Sequence, residues 1–308
     1  MNALPEKDLD VVELFGALWA GRWLVGGFTV LAAVVAVVFA LSQPNVYRST
    51  VLLAPTEQST GGLSDLIQSY GGLASIAGLS LPQANNSSKS VLAKEMLSSR
   101  LFVTNFIDKH DLLPFLFAAK SWDESSREVV FDDAIYDSKK KKWVREMSPP
   151  RQSRPDAEEA YEAFTKLIQF QENAKTKFLT ISIDHKSPDI AKLWLDLLII
   201  EINETLKQKD IDDATKSIAF LNEQVKKNNI SALDNVFFGL IESQIQTVML
   251  ANVRQQYVFT VIDPAVVPIT RHSPNRALIS IAGTVLGGVL SCIFLILRHF
   301  YKDWIRPV

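Results

Sequence analysis

The chain has 308 residues, a net charge of −2 and a mean hydropathy of only +0.10. That balance gives no reason to expect nucleic acid as a partner. It also argues against a polytopic transporter, because the apolar excess is concentrated near the two ends of the chain.

Residues 1–22 form a leading segment in which Glu6, Asp8, Asp10 and Glu13 outnumber Lys7 and Arg22. Trp23 to Leu41 follows, nineteen residues without a charge and apolar on every face. At about 1.5 Å per residue it is long enough for a hydrocarbon layer of roughly 30 Å. A buried core helix would be amphipathic. Ala40-Leu41-Ser42 resembles part of a signal-peptide cleavage site, but a signal peptide has a shorter apolar core of ~7–15 residues and a basic lead. A mitochondrial targeting peptide would avoid the acids. A retained transmembrane helix over 23–41 is therefore expected. Ala277 to Leu297, twenty-one residues without a charge, predicts a second one.

Two spans bring the chain back to its starting side. Arg22 before the first, and Arg298, Lys302 and Arg306 after the second, suit cytoplasmic ends. Arg48, Arg271 and Arg276 on the far side weaken the bias. The expected organisation is a cytoplasmic segment 1–22, a span 23–41, an α/β domain 42–276 outside the cytoplasm, a span 277–297 and a cytoplasmic tail 298–308. Cys292, the only cysteine, falls within the second span, so the outer domain has no disulfide and no cysteine chemistry.

Val46–Ala54 is rich in β-branched and aromatic residues and closes on Pro55, which predicts a strand. Thr56–Ser90 is dominated by Gly, Ser, Asn and Gln and reads as a mobile loop with a short apolar helix near 73–79. Its scattered glycines do not form a phosphate-binding loop, and no GxxxxGK[ST] or GxGxxG occurs in the chain. Ser90–His110 is helical by periodicity, and Pro114 argues against an unbroken continuation. Residues 119–155 turn charged and polar, with a basic run at Lys139–Lys142 that reads as a solvated turn; the sharper alternative is a contact for an anion or sugar phosphate.

Pro155–Asn173 predicts a helix opened by Asp156, Glu158 and Glu159. Phe178–Ile183 predicts a strand. Ser187-Pro188-Asp189 opens a helix that runs to about Lys227. Along it, Ile211, Ala214, Ile218, Leu221 and Val225 form a heptad-like seam. Lys226–Asn229 interrupts the pattern, and Ser231 can cap a second helix, so a long helical hairpin is expected over about 187–256. Tyr257–Ile262 predicts the last strand. Pro264, Pro268 and Pro274 carry the chain, mostly extended, to the second span. The expected fold class is α+β: a small mixed sheet near the membrane and long helices protruding from it, flanked by the two spans.

Catalytic chemistry finds little support. His110, His185, His272 and His299 lie far apart, without zinc-ligand spacing. There is no GxSxG elbow and no kinase signature. Asp132-Asp133 and Asp212-Asp213 read as solvated surface. No catalytic, cofactor or metal residue is expected. Small residues do recur at four-residue spacing in both spans: Ala32, Ala36 and Ala40 in the first, and Gly283, Gly287 and Ser291 in the second, with Gly288 beside them. Such faces let helix backbones approach closely, although Gly and Ala are common in membrane helices anyway.

The end of the chain carries a resemblance. Asp263-Pro264-Ala265-Val266-Val267-Pro268, Ser273-Pro274-Asn275-Arg276-Ala277-Leu278-Ile279 and Gly283-Thr284-Val285-Leu286-Gly287-Gly288 together resemble the proline- and glycine-rich second transmembrane segment of Wzz-type chain-length determinants, the polysaccharide co-polymerases. Asp10-Val11-Val12-Glu13-Leu14, Tyr47-Arg48-Ser49-Thr50-Val51-Leu52-Leu53, Met249-Leu250-Ala251-Asn252-Val253-Arg254 and Tyr257-Val258-Phe259 agree in order. The resemblance implies a non-catalytic protein of the bacterial inner membrane whose outer domain, 42–276, is periplasmic. It implies a ring-like homo-oligomer that works with a membrane glycan polymerase and sets the length of a lipid-linked polysaccharide such as lipopolysaccharide O-antigen. With only Arg298–Val308 after the second span and no nucleotide motif, the chain resembles the branch without a kinase. A receptor or sensor, a two-span channel and a tethered hydrolase are the competing classes. The first has little room for a cytoplasmic output module, the second lacks a polar ring in its spans, and the third lacks a motif.

Overall fold

The structure, a computed structural model, describes residues 19, 21–56, 86–149, 151–227 and 231–305. The expected loop and short helix between 57 and 85, and the acidic start of the chain, lie outside the described residues. Two compact units emerge: Met1–Val46 with Arg271–Val308, and Tyr47–Thr270.

The first unit is a pair of long apolar helices, α1 (Arg22–Ser42) and α8 (Arg276–Ile305). Nothing but hydrocarbon side chains lines most of their outer surface; Val30, Val35, Ile281 and Leu290 are all exposed. Their described serine and threonine hydroxyls are satisfied within the helix. Thr29 Oγ1 donates to the Val25 carbonyl at 2.7 Å, Thr284 Oγ1 to Ser280 at 2.7 Å and Ser291 Oγ to Gly288 at 2.7 Å. This is what a helix surrounded by lipid requires, since no water is there to take an unpaired donor.

The second unit is built on a four-stranded sheet of β1 (Tyr47–Pro55), β6 (Ile168–Glu172), β7 (Leu179–His185) and β8 (Phe259–Asp263), in the order β6-β7-β1-β8. Every pairing is antiparallel, so the expected mixed sheet is corrected to an antiparallel one. Two of the expected strands meet directly, Val51 opposite Ile181 and Leu53 opposite Leu179. Their inward side chains alternate with half-exposed ones, as a sheet solvated on one face demands. The buried face packs on α6 (Pro188–Lys227) through Trp194, Leu195, Leu198 and Ile202, and Phe106 of α3 (Arg100–Lys109) joins the same core against Phe164.

Other expectations change as well. The helix expected over 155–173 stops earlier: α5 covers Ala157–Leu167, and Ile168–Glu172 pairs with β7. Ile168-Gln169-Phe170-Gln171 alternates apolar and polar, and Ile168 and Phe170 lie opposite Ile183 and Ile181, so cross-strand packing outweighs the helical start. The helix over 90–110 is two, α2 (Asn86–Ser98) and α3, because Ser99 leaves the helix and caps α3 by accepting from the Phe102 amide. A further short helix, α4, spans Leu113–Phe117.

The polar stretch 119–155 is also more ordered than its composition suggests. It contains two hairpins, β2 (Ala119–Asp123) with β3 (Glu128–Phe131) and β4 (Tyr136–Asp137) with β5 (Lys142–Trp143). Asp123 accepts from the Ser125 amide at 3.0 Å, and Asp137 from the Lys140 amide at 3.0 Å, which closes each turn. Those hydrogen bonds hold both carboxyls below their ordinary range. Lys139–Lys141 fall in the second turn and Lys142 opens β5, all exposed, with Lys140 against Asp137.

From α6 the chain turns into α7 (Ser231–Val253). Tyr257, just past the end of α7, meets Asp210 on α6, so α7 runs back along its partner as a hairpin. At 40 residues α6 is roughly 60 Å long. Three described helices are long and apolar enough to cross a membrane, where two are expected from the sequence: the third is Leu233–Val253, in α7.

Candidate functional site

In the first unit the small residues of the two spans meet. Gly287 lies against Ala32 and Gly283 against Ala36, so closely that a β-carbon at either glycine would overlap the alanine methyl. Gly288 faces Thr29 at ordinary van der Waals distance. Ala40 and Ser291 are buried. The partners run in opposite senses along the chain, so the helices are antiparallel. Farther along, Phe28 and Phe294 place their ring centroids 5.9 Å apart.

The residues before the second span brace its start. Asn275 caps α8 by accepting from the Leu278 amide at 3.2 Å. Arg276 reaches Asn45 at 3.0 Å, and Val46 and Ser273 form an isolated bridge with Val46 N donating to Ser273 O at 2.9 Å. Pro274 precedes the cap. Pro264 and Pro268, in contrast, belong to the second unit, in the irregular stretch after β8. There Ser49 on β1 donates to the Val266 carbonyl at 2.8 Å. The five motif residues are therefore divided between the two units.

On α6, Ile211, Ile218, Leu221 and Val225 are half-buried and Ala214 is buried, whereas most residues between them are exposed. This stripe faces α7, whose Ile241 and Ala251 are also buried. A second apolar stripe on α7, comprising Phe238, Ile245, Met249 and Val253, remains exposed.

Polar anchors that periodicity could not reveal fix the hairpin to the sheet. Asn203 is buried in the middle of α6. Its Oδ1 accepts from the amides of Val258 at 2.8 Å and Phe259 at 3.1 Å, while Nδ2 donates to the Ile199 carbonyl at 2.9 Å. Asp210 accepts from the Tyr257 hydroxyl at 2.6 Å and from Lys89 Nζ at 2.5 Å, and the same ammonium lies 5.1 Å from the Tyr257 ring centroid. A lone Asn among apolar residues was the only sequence signal for the first anchor.

Among the described side chains, the histidines do not gather. His185 is buried against Trp194. Its Nδ1 accepts from the Ser187 amide at 3.0 Å, which leaves Nε2 to donate to the Phe115 carbonyl at 3.1 Å. Burial pushes its pKa down, so it is held as a neutral tautomer. His110 lies 3.4 Å from Glu201, and His272 is exposed. Among the described residues, no group of three or more His, Cys, Asp or Glu is placed to hold a metal ion. The geometry offers braced helices and packing faces.

Two solved structures match at low identity. One, titled "full-length bacterial polysaccharide co-polymerase", is 12% identical, with 97% of this chain and 100% of that chain covered and a TM-score of 0.45. Another, titled "Fragment of WzzB, Polysaccharide Co-polymerase from Salmonella Typhimurium", is 13% identical, with 74% and 100% covered and a TM-score of 0.31. No curated protein sequence matches. A family match does come from the sequence itself, and it covers α1, β1, α2 and α3: residues 7–110 match the Wzz family, described as chain length determinant protein.

Proposed function

We propose that this chain regulates the length of a lipid-linked surface polysaccharide, O-antigen or a related glycan, in the bacterial inner membrane. It does so without catalysis, as a homo-oligomer working with the membrane polymerase that elongates the glycan. Residues 1–22 and 298–308 lie in the cytoplasm, 23–41 and 277–297 cross the bilayer, and 42–276 form the periplasmic domain. The observation that carries the reading is the family match over residues 7–110. The braced pair of apolar helices and the helical hairpin give it physical parts: a membrane anchor held by small residues, and long helices with an apolar face available for a second subunit.

The experiment is the glycan size profile of a strain lacking the gene, with and without the gene restored. A shifted or broadened length distribution, restored by complementation, is the expected result. An unchanged profile rejects the reading and returns the receptor, channel and tethered-hydrolase classes to consideration.

One observation favours a different topology. Leu233–Val253 is long and apolar enough to cross a membrane, although less apolar than the other two candidates. As a third span it would place the two termini on opposite sides. The two-span reading is supported by the packing of α7 on the α6 seam and by the anchors at Asn203 and Asp210 just beyond its end.

A further inference from the structure

At one end of the sheet, Pro55 closes β1, Glu172 closes β6, and Leu179 and Phe259 open β7 and β8. Between these strand ends and α2 lies an open cleft of about 320 Å³. That is the lower end of the size range for small-ligand sites, ~300–1,000 Å³. Its floor is apolar, formed by Phe259, Leu179 and Pro55 with Phe178 half-buried beside them. Its rim is charged. Lys94 Nζ stands 3.0 Å from one oxygen of Glu172, and Lys177 Nζ 3.6 Å from the other. Two ammonium groups thus share one carboxylate, which leaves one positive charge in excess. Lys94 above all, then Lys177, holds the Glu172 carboxyl below its ordinary range, so that carboxylate stays charged. Thr56 brings a hydroxyl to the same cleft.

Both halves of this arrangement constrain a ligand. An apolar floor with an aromatic ring suits the C–H face of a sugar, and hydroxyl and carboxylate groups suit its ring hydroxyls. The surplus ammonium suits an anion attached to that sugar, through a charge-assisted hydrogen bond. We propose that this cleft binds an acidic hexose unit, whose carboxylate meets Lys177 and Lys94 while its ring lies over Phe178 and Pro55. The inference rests on the reading that the chain acts on a polysaccharide, and names the kind of residue it engages.

The test uses the full chain in detergent or nanodiscs, with glucuronate, glucose and acetate as probes in calorimetric titration or saturation-transfer NMR. Glucuronate is expected to bind about tenfold or more tighter than either glucose or acetate. Lys177→Gln removes the surplus charge and leaves Lys94 paired with Glu172. Lys177 already holds a left-handed backbone, φ 60°, in its turn, and glutamine adds no new strain there. This variant is expected to keep the wild-type circular dichroism and to lose about tenfold in glucuronate affinity. Equal binding of glucose, equal binding of acetate, no glucuronate binding, or an unaffected Lys177→Gln would each overturn the proposal. The two readings fail separately. A deletion strain with altered glycan length and a purified chain indifferent to glucuronate rejects the cleft alone. An unchanged glycan profile with tight glucuronate binding rejects the length-control reading while keeping the acidic-sugar site.

Discussion

Gly287 leaves no room for a β-carbon beside Ala32. In lipid no hydrophobic driving force brings two apolar helices together, so close backbone approach and the dispersion it permits must do so. A leucine at 287 would force the spans apart. Gly287→Leu is expected to insert normally but to destabilise the helix pair by about 1–3 kcal/mol, with Gly287→Ala intermediate. Thermal unfolding in detergent measures the order. Unchanged midpoints in both variants would show that the contact contributes nothing to the pairing.

Asn203 joins the middle of α6 to the first residues of β8. Replacing it with leucine would leave the Val258 and Phe259 amides without their acceptor inside the core. Two such orphaned donors cost on the order of 2–6 kcal/mol. Chemical denaturation should register that loss, and hydrogen exchange should speed up at those two amides first. Asn203→Asp, which keeps an acceptor but buries a charge, is expected to destabilise as well.

His185 makes stability depend on pH. Burial lowers its pKa in the folded chain below the ordinary 6.5. Above that value both folded and unfolded states are neutral and the contribution is complete. Below it the unfolded state takes up a proton that the folded state refuses, so stability falls as pH drops from about 6.5 towards the lowered folded value. The slope approaches about 1.4 kcal/mol per pH unit for one proton. His185→Gln is expected to flatten this part of the stability–pH curve while lowering the curve as a whole. A variant with the wild-type slope would assign the dependence to another group.

The seam on α6 separates core from solvent along one helix. Leu221 is half-buried and faces α7, whereas Lys139 stands exposed in a turn. Leu221→Asp places an unpaired charge in the seam; partial exposure reduces the penalty to on the order of 1–3 kcal/mol. The expected outcome is a loosened hairpin, with lower helical content on heating and smaller detergent-solubilised particles. Lys139→Glu should change neither. Leu221→Asp at wild-type melting point and wild-type mass would show that the seam is neither core nor interface.

How far the sequence revealed this architecture depends on what each signal measures. Nineteen uncharged residues after Arg22 need no neighbour to be read, and neither does the small-residue spacing at Gly283 and Gly287. The strand expected over Phe178–Ile183 is present as Leu179–His185, because a short run rich in isoleucine and threonine needs no neighbour to be read. Ile168–Glu172 was lost to the helix before it because its strand character comes from Ile181 and Ile183 across the hairpin, residues more than ten positions away. The two small hairpins were hidden for another reason: their turns are made by Asp123 and Asp137 in a stretch whose composition is that of a loop. Asn203 and Asp210 were legible only as polar interruptions on α6, since the amides and hydroxyl they hold belong to a segment more than forty residues on. The cleft by Glu172 draws its lysines from α2 and from the β6–β7 turn, and no spacing in one segment could place them together.

Topology separates the two readings of α7 by parity. With spans at α1 and α8 alone, reporters fused to the two termini give the same compartment. If Leu233–Val253 crossed as well, they would give opposite ones. The packing of α7 against α6 decides the expectation. Ile241 and Ala251 are buried, and the partner helix α6 carries Lys209, Asp213 and Lys216 on its exposed side. Pulling α7 into lipid would also strip Tyr257 from Asp210 and the Val258 amide from Asn203, close to its end. Those losses are several kcal/mol in sum at about 1–3 kcal/mol for each unsatisfied buried group. Single cysteines at Lys139 and Pro268, on either side of α7, in a Cys292→Ser background, are therefore expected to react with the same membrane-impermeant thiol reagent from the same side. Terminal reporters should agree with each other and disagree with both cysteines. Labelling of Lys139→Cys and Pro268→Cys from opposite sides would make α7 a third span and dismantle the helical hairpin on which the seam prediction depends.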